Sequence, residues 1–242
     1  AVALRGDCKY KQKEIMVNIN NVYQKVLALA NKEQRGYITP QEFNLFANQA
    51  QMDIFEQYFY DRAQFGRVPG NKTMYADPID ILEEKIEIFH KSTPLVVTDN
   101  GFALPSDLYR LARVNNSDND ATIEKLTHQK FTTAINSPLT APTLSRPIYY
   151  VKGKYAIVSP DTIEDISIDY IGVPSAAQWN GYNTPSGELY NESESANFSL
   201  HVSEETKLVI KILQLAGIAM KDPSLYQIGA AEDNKNIQQE KQ

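Results

Sequence analysis

The chain has 242 residues, with 24 Lys+Arg against 30 Asp+Glu and a net charge of −6. An apolar share of 42% is that of a globular chain and excludes wholesale disorder, and the acidic balance argues against a general nucleic-acid coat. No apolar run approaches the ~20 residues of a membrane helix, and the single cysteine, Cys8, excludes an internal disulfide framework and a Cys-based zinc site.

Residues 1–15 carry Arg5, Lys9, Lys11 and Lys13 without an apolar core of signal-peptide length. They read either as an extension upstream of a natural start at Met16 or as a flexible basic arm. Ile19, Val22, Tyr23, Val26, Leu27 and Ala30 then recur at three- and four-residue spacing, which predicts a helix over 18–33. Gly36 is a stop signal, and Thr39-Pro40-Gln41-Glu42 has the form of a capping box opening a second helix over 40–61. Phe43, Phe46, Ala47, Ala50, Ile54 and Tyr58 line one face of that helix, and Leu45, Met52, Phe55 and Phe59 widen it. A helix apolar over most of its circumference must be covered on several sides, so this one belongs in the core or in a subunit interface.

After loop residues at 62–77, Asp77-Pro78 opens a third helix with Ile79, Leu82, Ile86 and Phe89 on one face, stopped by Pro94. Asn100-Gly101 between two apolar runs predicts a β-hairpin. Leu108 to Val114 is ambiguous between strand and helix, and Ile123, Leu126, Phe131 and Ile135 suggest a fourth helix. From Asn136 prolines space out an extended segment. Residues 148–151 and 155–158 form a second hairpin around Lys152-Gly153-Lys154, and 166–172 a third strand. Residues 175–196 read as a long polar loop, and a final amphipathic helix opens at Ser203 and ends or bends at Gly217. The tail from Ala231 holds no apolar residue beyond Ile237 after its first position and reads as free.

The fold class expected is α+β: an N-terminal helical hairpin and further helices, a small antiparallel sheet in the middle, then a C-terminal helix and tail. The expected organisation is a single domain over 16–230, helical over 16–135, mainly β over 136–200 and helical over 201–230. Residues 1–15 and 231–242 flank it.

Chemistry-bearing motifs are sparse. Residues 31–42 resemble an EF-hand loop in the placing of Gly36, Ile38 and Glu42, but Asn31, Glu33 and Arg35 occupy the first, third and fifth ligand positions. Arg35 puts a fixed cation where a dication would sit, so a helix–turn–helix with a capping box accounts for the segment without a metal. His90, His128 and His201 are scattered, and there is no nucleophile elbow, phosphate loop or dinucleotide fingerprint. Lys125, Lys130, Arg146, Lys152 and Lys154, interleaved with Tyr149, Tyr150 and Tyr155, fit a nucleic-acid face or, more simply, an ordinary sheet with solvated lysines.

Three stretches taken together resemble virion structural proteins of short-tailed phages, the marine and crAss-like kind. They are Asn31 through Phe59, Leu104 through Leu111, and the run from Ser137-Pro138 through Arg146-Pro147, Ile157 to Pro160 and Asp169 to Pro174. The resemblance spans about 18–230. It implies a head–tail connector or adaptor: a non-enzymatic subunit of a homo-oligomeric ring, usually of twelve copies. The ring binds the portal protein and other neck and tail rings, and DNA passes through it without sequence-specific contact. It further implies assembly in the host bacterial cytoplasm, a place in the virion neck, and no cofactor, metal or membrane. Candidate oligomer or partner contacts are Phe55, Tyr58, Phe59, Trp179, Tyr182, Tyr190 and Ile237, with the 175–196 loop and the tail reaching neighbours. A calcium-responsive binding protein built on 31–42, and an enzyme with a site in the 175–196 loop, are the competing expectations.

Overall fold

The computed structural model describes residues 16–32, 38–65, 78–117, 121–184, 187–219 and 231. The chain divides into two compact units, one from residues 1–88 and 174–242, the other from Phe89–Val173. The architecture is α+β, as expected, but the order is not helices to 135 followed by strands. Strands begin at His90, and the β-rich unit is inserted into the helical one, in place of the single domain expected over 16–230.

In the helical unit, α1 (Ile19–Lys32), α2 (Pro40–Phe65) and α3 (Pro78–Glu87) precede the insertion; α5 (Glu205–Ala219) follows it after a 3-10 turn at Val202–Glu204. The Asn18 carboxamide oxygen caps α1, accepting from the Asn20 and Asn21 N–H groups at 2.9 and 3.2 Å. The predicted capping box of α2 is present. The Thr39 hydroxyl accepts from the Glu42 N–H at 3.3 Å, while the Glu42 carboxylate accepts from the Thr39 N–H at 3.0 Å and its hydroxyl at 2.8 Å. These bonds, the backbone one foremost, hold the Glu42 carboxyl below its ordinary pKa. The carboxylate at the twelfth position of the EF-hand-like stretch is thus committed to Thr39; residues 33–37, with Gly36, lie outside the described residues.

The width of the apolar surface of α2 has a simple explanation. Phe43, Ala47, Ala50, Ile54, Phe55 and Tyr58 are buried, α5 and α3 pack against the helix, and Leu45 and Tyr60 stay mostly in water, at 71% and 56% exposure. Cover therefore comes from within the chain. Lys85 of α3 bonds the buried carboxylate of Glu204 and lies 5.8 Å above the Tyr58 ring. Gly217 does not end α5, which runs on to Ala219. The helix penalty of about 1 kcal/mol for glycine is outweighed by packing of this buried turn.

The inserted unit holds two sheets. A three-stranded sheet, β1 (His90–Pro94), β8 (Ile166–Gly172) and β4 (Leu108–Asn116), is antiparallel, with β8 central. The Phe89 carbonyl accepts from the Gly172 N–H at 2.9 Å, stitching the two ends of the insertion together. The five-stranded sheet runs β2 (Val96–Thr98), β3 (Gly101–Ala103), β7 (Tyr155–Ser159), β6 (Ile148–Lys152) and β5 (Glu124–Lys125). Both predicted hairpins form. Gly101 has φ 110°, and a Cβ there would lie 2.8 Å from the Ala156 carbonyl oxygen, so the Asn100-Gly101 turn needs its glycine. Leu108 to Val114 resolves as strand.

The fourth helix is shorter than expected. As α4 it spans only His128–Asn136, capped by Thr127, because Ile123 and Leu126 are drawn into extended chain by N–H bonds to Val114 and Tyr149 carbonyls at 2.8 Å each. The β5–β6 pair is parallel, so the sheet is mixed rather than purely antiparallel.

Candidate interaction surfaces

The 175–196 segment is not an unstructured loop. It begins as an extended strap held by side chains of α2. Asn44, Asn48 and Gln51 stand four and three residues apart, on one side of the helix and beside its buried stripe. Each amide pairs with backbone as a strand edge would. Asn44 donates to the Trp179 carbonyl at 3.0 Å and accepts from its N–H at 2.8 Å. Asn48 donates to the Ala177 carbonyl and accepts from its N–H, both at 2.9 Å. Gln51 donates to the Ser175 carbonyl at 2.8 Å and accepts from the Ser199 N–H at 2.9 Å. Alternate strap residues meet successive helical turns, and the backbone donors and acceptors buried there are satisfied.

The strap delivers Trp179 to the core. Its ring lies 4.3 Å from that of Tyr23, its indole N–H donates to the Asn20 carboxamide oxygen at 3.1 Å, and it is 2% exposed. A short hairpin follows, β9 (Gly181–Thr184) and β10 (Gly187–Tyr190). Gly181 is required where it begins: a Cβ would stand 2.5 Å from the indole edge. Tyr182 and Leu189 face each other across this hairpin and are 55% and 63% exposed. No other strand pairs with it among the described residues.

The predicted contact residues therefore separate. Phe55, Tyr58 and Trp179 are not available to a partner, because the chain's own packing buries each of them to 2% exposure or less. Phe59 stacks edge-on to Phe55 at 5.1 Å and is half-buried, as is Tyr190, 6.1 Å from Trp179. Tyr182 is at the surface. Ile237 and most of the tail lie outside the described residues. Neither Leu189, the partner of Tyr182 in a polar context, nor the three amides of α2 was among the contact residues expected from the sequence. Their 4–3 spacing beside an apolar stripe was the available signal.

Of the three interleaved tyrosines on the β-rich unit, two are closed to stacking and Tyr155 is half-buried. Tyr149 and Tyr150 are buried, and burial pushes the Tyr149 hydroxyl up in pKa. Lys125, Lys130, Arg146, Lys152 and Lys154 remain exposed.

Two further features belong to the β-rich unit. Apolar side chains stand in water on the loop after α4, with Leu139 93% and Leu144 57% exposed, and on the edge strand β2, with Val96 71% exposed. An open cleft of about 620 Å³ lies where the β3–β7 ladder stops, between the Asp99-Asn100 turn and the Asp161–Glu164 turn. Phe102, Val158 and Ile163 supply its apolar floor.

Chemistry needs converging groups, and these surfaces offer few. Among the described residues no group of three or more His, Cys, Asp or Glu side chains is placed to hold a metal ion. No helix among them is long and apolar enough to cross a membrane. No protein-family model and no curated protein matches the chain.

Proposed function

We propose that the chain is a non-enzymatic structural subunit of a phage virion. One copy takes its place in a homo-oligomeric head–tail connector ring that joins the portal to the tail and surrounds the DNA path. The observation that carries this reading is apolar surface left in water by a lone chain: the Tyr182–Leu189 pair on the β9–β10 hairpin, and Leu139 and Leu144 on the loop after α4. Large exposed apolar side chains grouped on defined elements are what association surfaces look like. Their placing on different elements suits a ring, whose subunits meet through two unlike patches rather than one self-complementary one. The sequence resemblance supplies the identity of the assembly, and the acidic balance suits a channel through which DNA slides without adhering.

The test is native mass spectrometry and negative-stain microscopy of the purified protein, alone and with portal rings. A closed ring of fixed copy number, or stoichiometric addition to the portal, is expected. Leu139→Ser with Leu144→Ser, or Tyr182→Ser with Leu189→Ser, should break the ring and leave the circular dichroism spectrum unchanged. A protein that stays monomeric at every concentration and ignores the portal would refute the proposal.

A further inference from the structure

The cleft in the β-rich unit is an interrupted sheet. All five residues of β7 pair with β6 on one side, from Tyr155 to Ser159. On the other side β3 pairs only with Tyr155 and Ala156. Backbone polar groups of a strand alternate between its two neighbours. The Leu104 N–H bonds the Lys154 carbonyl at 2.9 Å, so Lys154, Ala156 and Val158 direct theirs toward β3. The chain turns away at Asn100, which leaves Val158 next in the row with no strand opposite it. The cleft opens at that point.

Its walls have a definite character. The buried side chains of Phe102, Val158 and Ile163 form an apolar floor. Asp99, Asp161 and Glu164 stand exposed around the rim, and none of the three makes an ion pair or side-chain hydrogen bond among the described residues. The edge open at Val158 is one residue long, since Pro160 has no N–H and its carbonyl accepts from Ile163 at 3.3 Å; together with the apolar floor and the unneutralised acidic rim it selects a short extended segment with apolar side chains on one face and basic ones on the other.

We infer that this cleft is a docking site for an extended, basic-apolar segment of a partner protein. The segment adds to β7 at Val158 and sets a lysine or arginine among Asp99, Asp161 and Glu164. The inference stands on the cleft alone and does not depend on the ring reading.

The probe is a fluorescein-labelled hexapeptide of alternating valine and lysine. Its controls are the valine–glutamate peptide, which reverses the charge, and the glycine–lysine peptide, which keeps the charge and removes the apolar face. Fluorescence anisotropy with the full chain should show the valine–lysine peptide binding at least about tenfold more tightly than either control. Hydrogen exchange should slow in the 157–164 segment. Asp161→Lys with Glu164→Lys, and separately Asp99→Lys, should each weaken binding with circular dichroism unchanged; all three positions are exposed, so folding is retained. Equal binding of the glycine–lysine peptide would reduce the effect to general attraction by an acidic chain and overturn the inference. So would protection elsewhere, indifference to charge reversal, or no binding. Self-association of the protein that these reversals abolish would assign the cleft to a second copy and overturn it as well.

Discussion

Asn48→Ala removes the middle rung between α2 and the strap. Two backbone bonds to Ala177 are lost, at 2.9 Å each, and Ala177 is 1% exposed, so water does not readily replace them. A buried donor or acceptor left unsatisfied costs about 1–3 kcal/mol. Two such groups, less roughly 0.5 kcal/mol regained because alanine is the better helix former, give an expected loss of about 3 kcal/mol. The assay is urea denaturation followed by the fluorescence of Trp179, the chain's one tryptophan, which sits two residues along the strap. Amide exchange at Ala177 and Trp179 should accelerate more than exchange in the middle of α2. A loss below about 1 kcal/mol for Asn48→Ala would refute the view that the amide ladder holds the strap.

Thr39→Ala removes the cap of α2 and should lower stability by about 1 kcal/mol in the same denaturation assay. Gly181→Ala drives a methyl into the Trp179 ring; the emission maximum should move to longer wavelength as the indole is displaced toward water, and an unchanged spectrum would contradict the packing described. Asp107 accepts from Lys91 at 2.6 Å and from the Tyr170 hydroxyl at 3.1 Å, and the Lys91 bond holds its carboxyl below the ordinary aspartate range. Its contribution is therefore fully present above the unfolded-state pKa and is lost as pH falls through the lower folded value. Acid titration monitored by near-ultraviolet circular dichroism should be shallower for Asp107→Asn over that interval.

Much of this architecture was legible because the deciding interactions are local. The capping box at Thr39 and Glu42, the periodicity of α1, and the Asn100-Gly101 turn each specify structure within a few residues of themselves. The strap was not legible for the opposite reason. Its hydrogen-bond partners are side chains more than 120 positions away, as with Gln51 and Ser175, and nothing in 175–180 announces a strand. A wide apolar face on α2 was visible, but not that α3, α5 and Trp179 would cover the unit's interior from both sides of an insertion. That coverage removed Phe55 and Tyr58 from the contact surface. The cleft was invisible in sequence because it is made by where β3 stops, a property of register rather than of composition.

The stitched ends of the insertion bear on how the protein folds as it is made. The helical unit is split: α1, α2 and α3 emerge early, while the strap and α5 come only after Val173. Closing a flexible loop of roughly 85 residues to bring those parts together would cost about 4 kcal/mol in chain entropy. The inserted unit is continuous in sequence, and its Phe89–Gly172 bond with the β1–β8 register sets its two ends side by side. Once it has folded, the ribosome delivers the strap to a chain whose intervening loop is already closed, and α2 receives its second half as if it were the next segment in sequence.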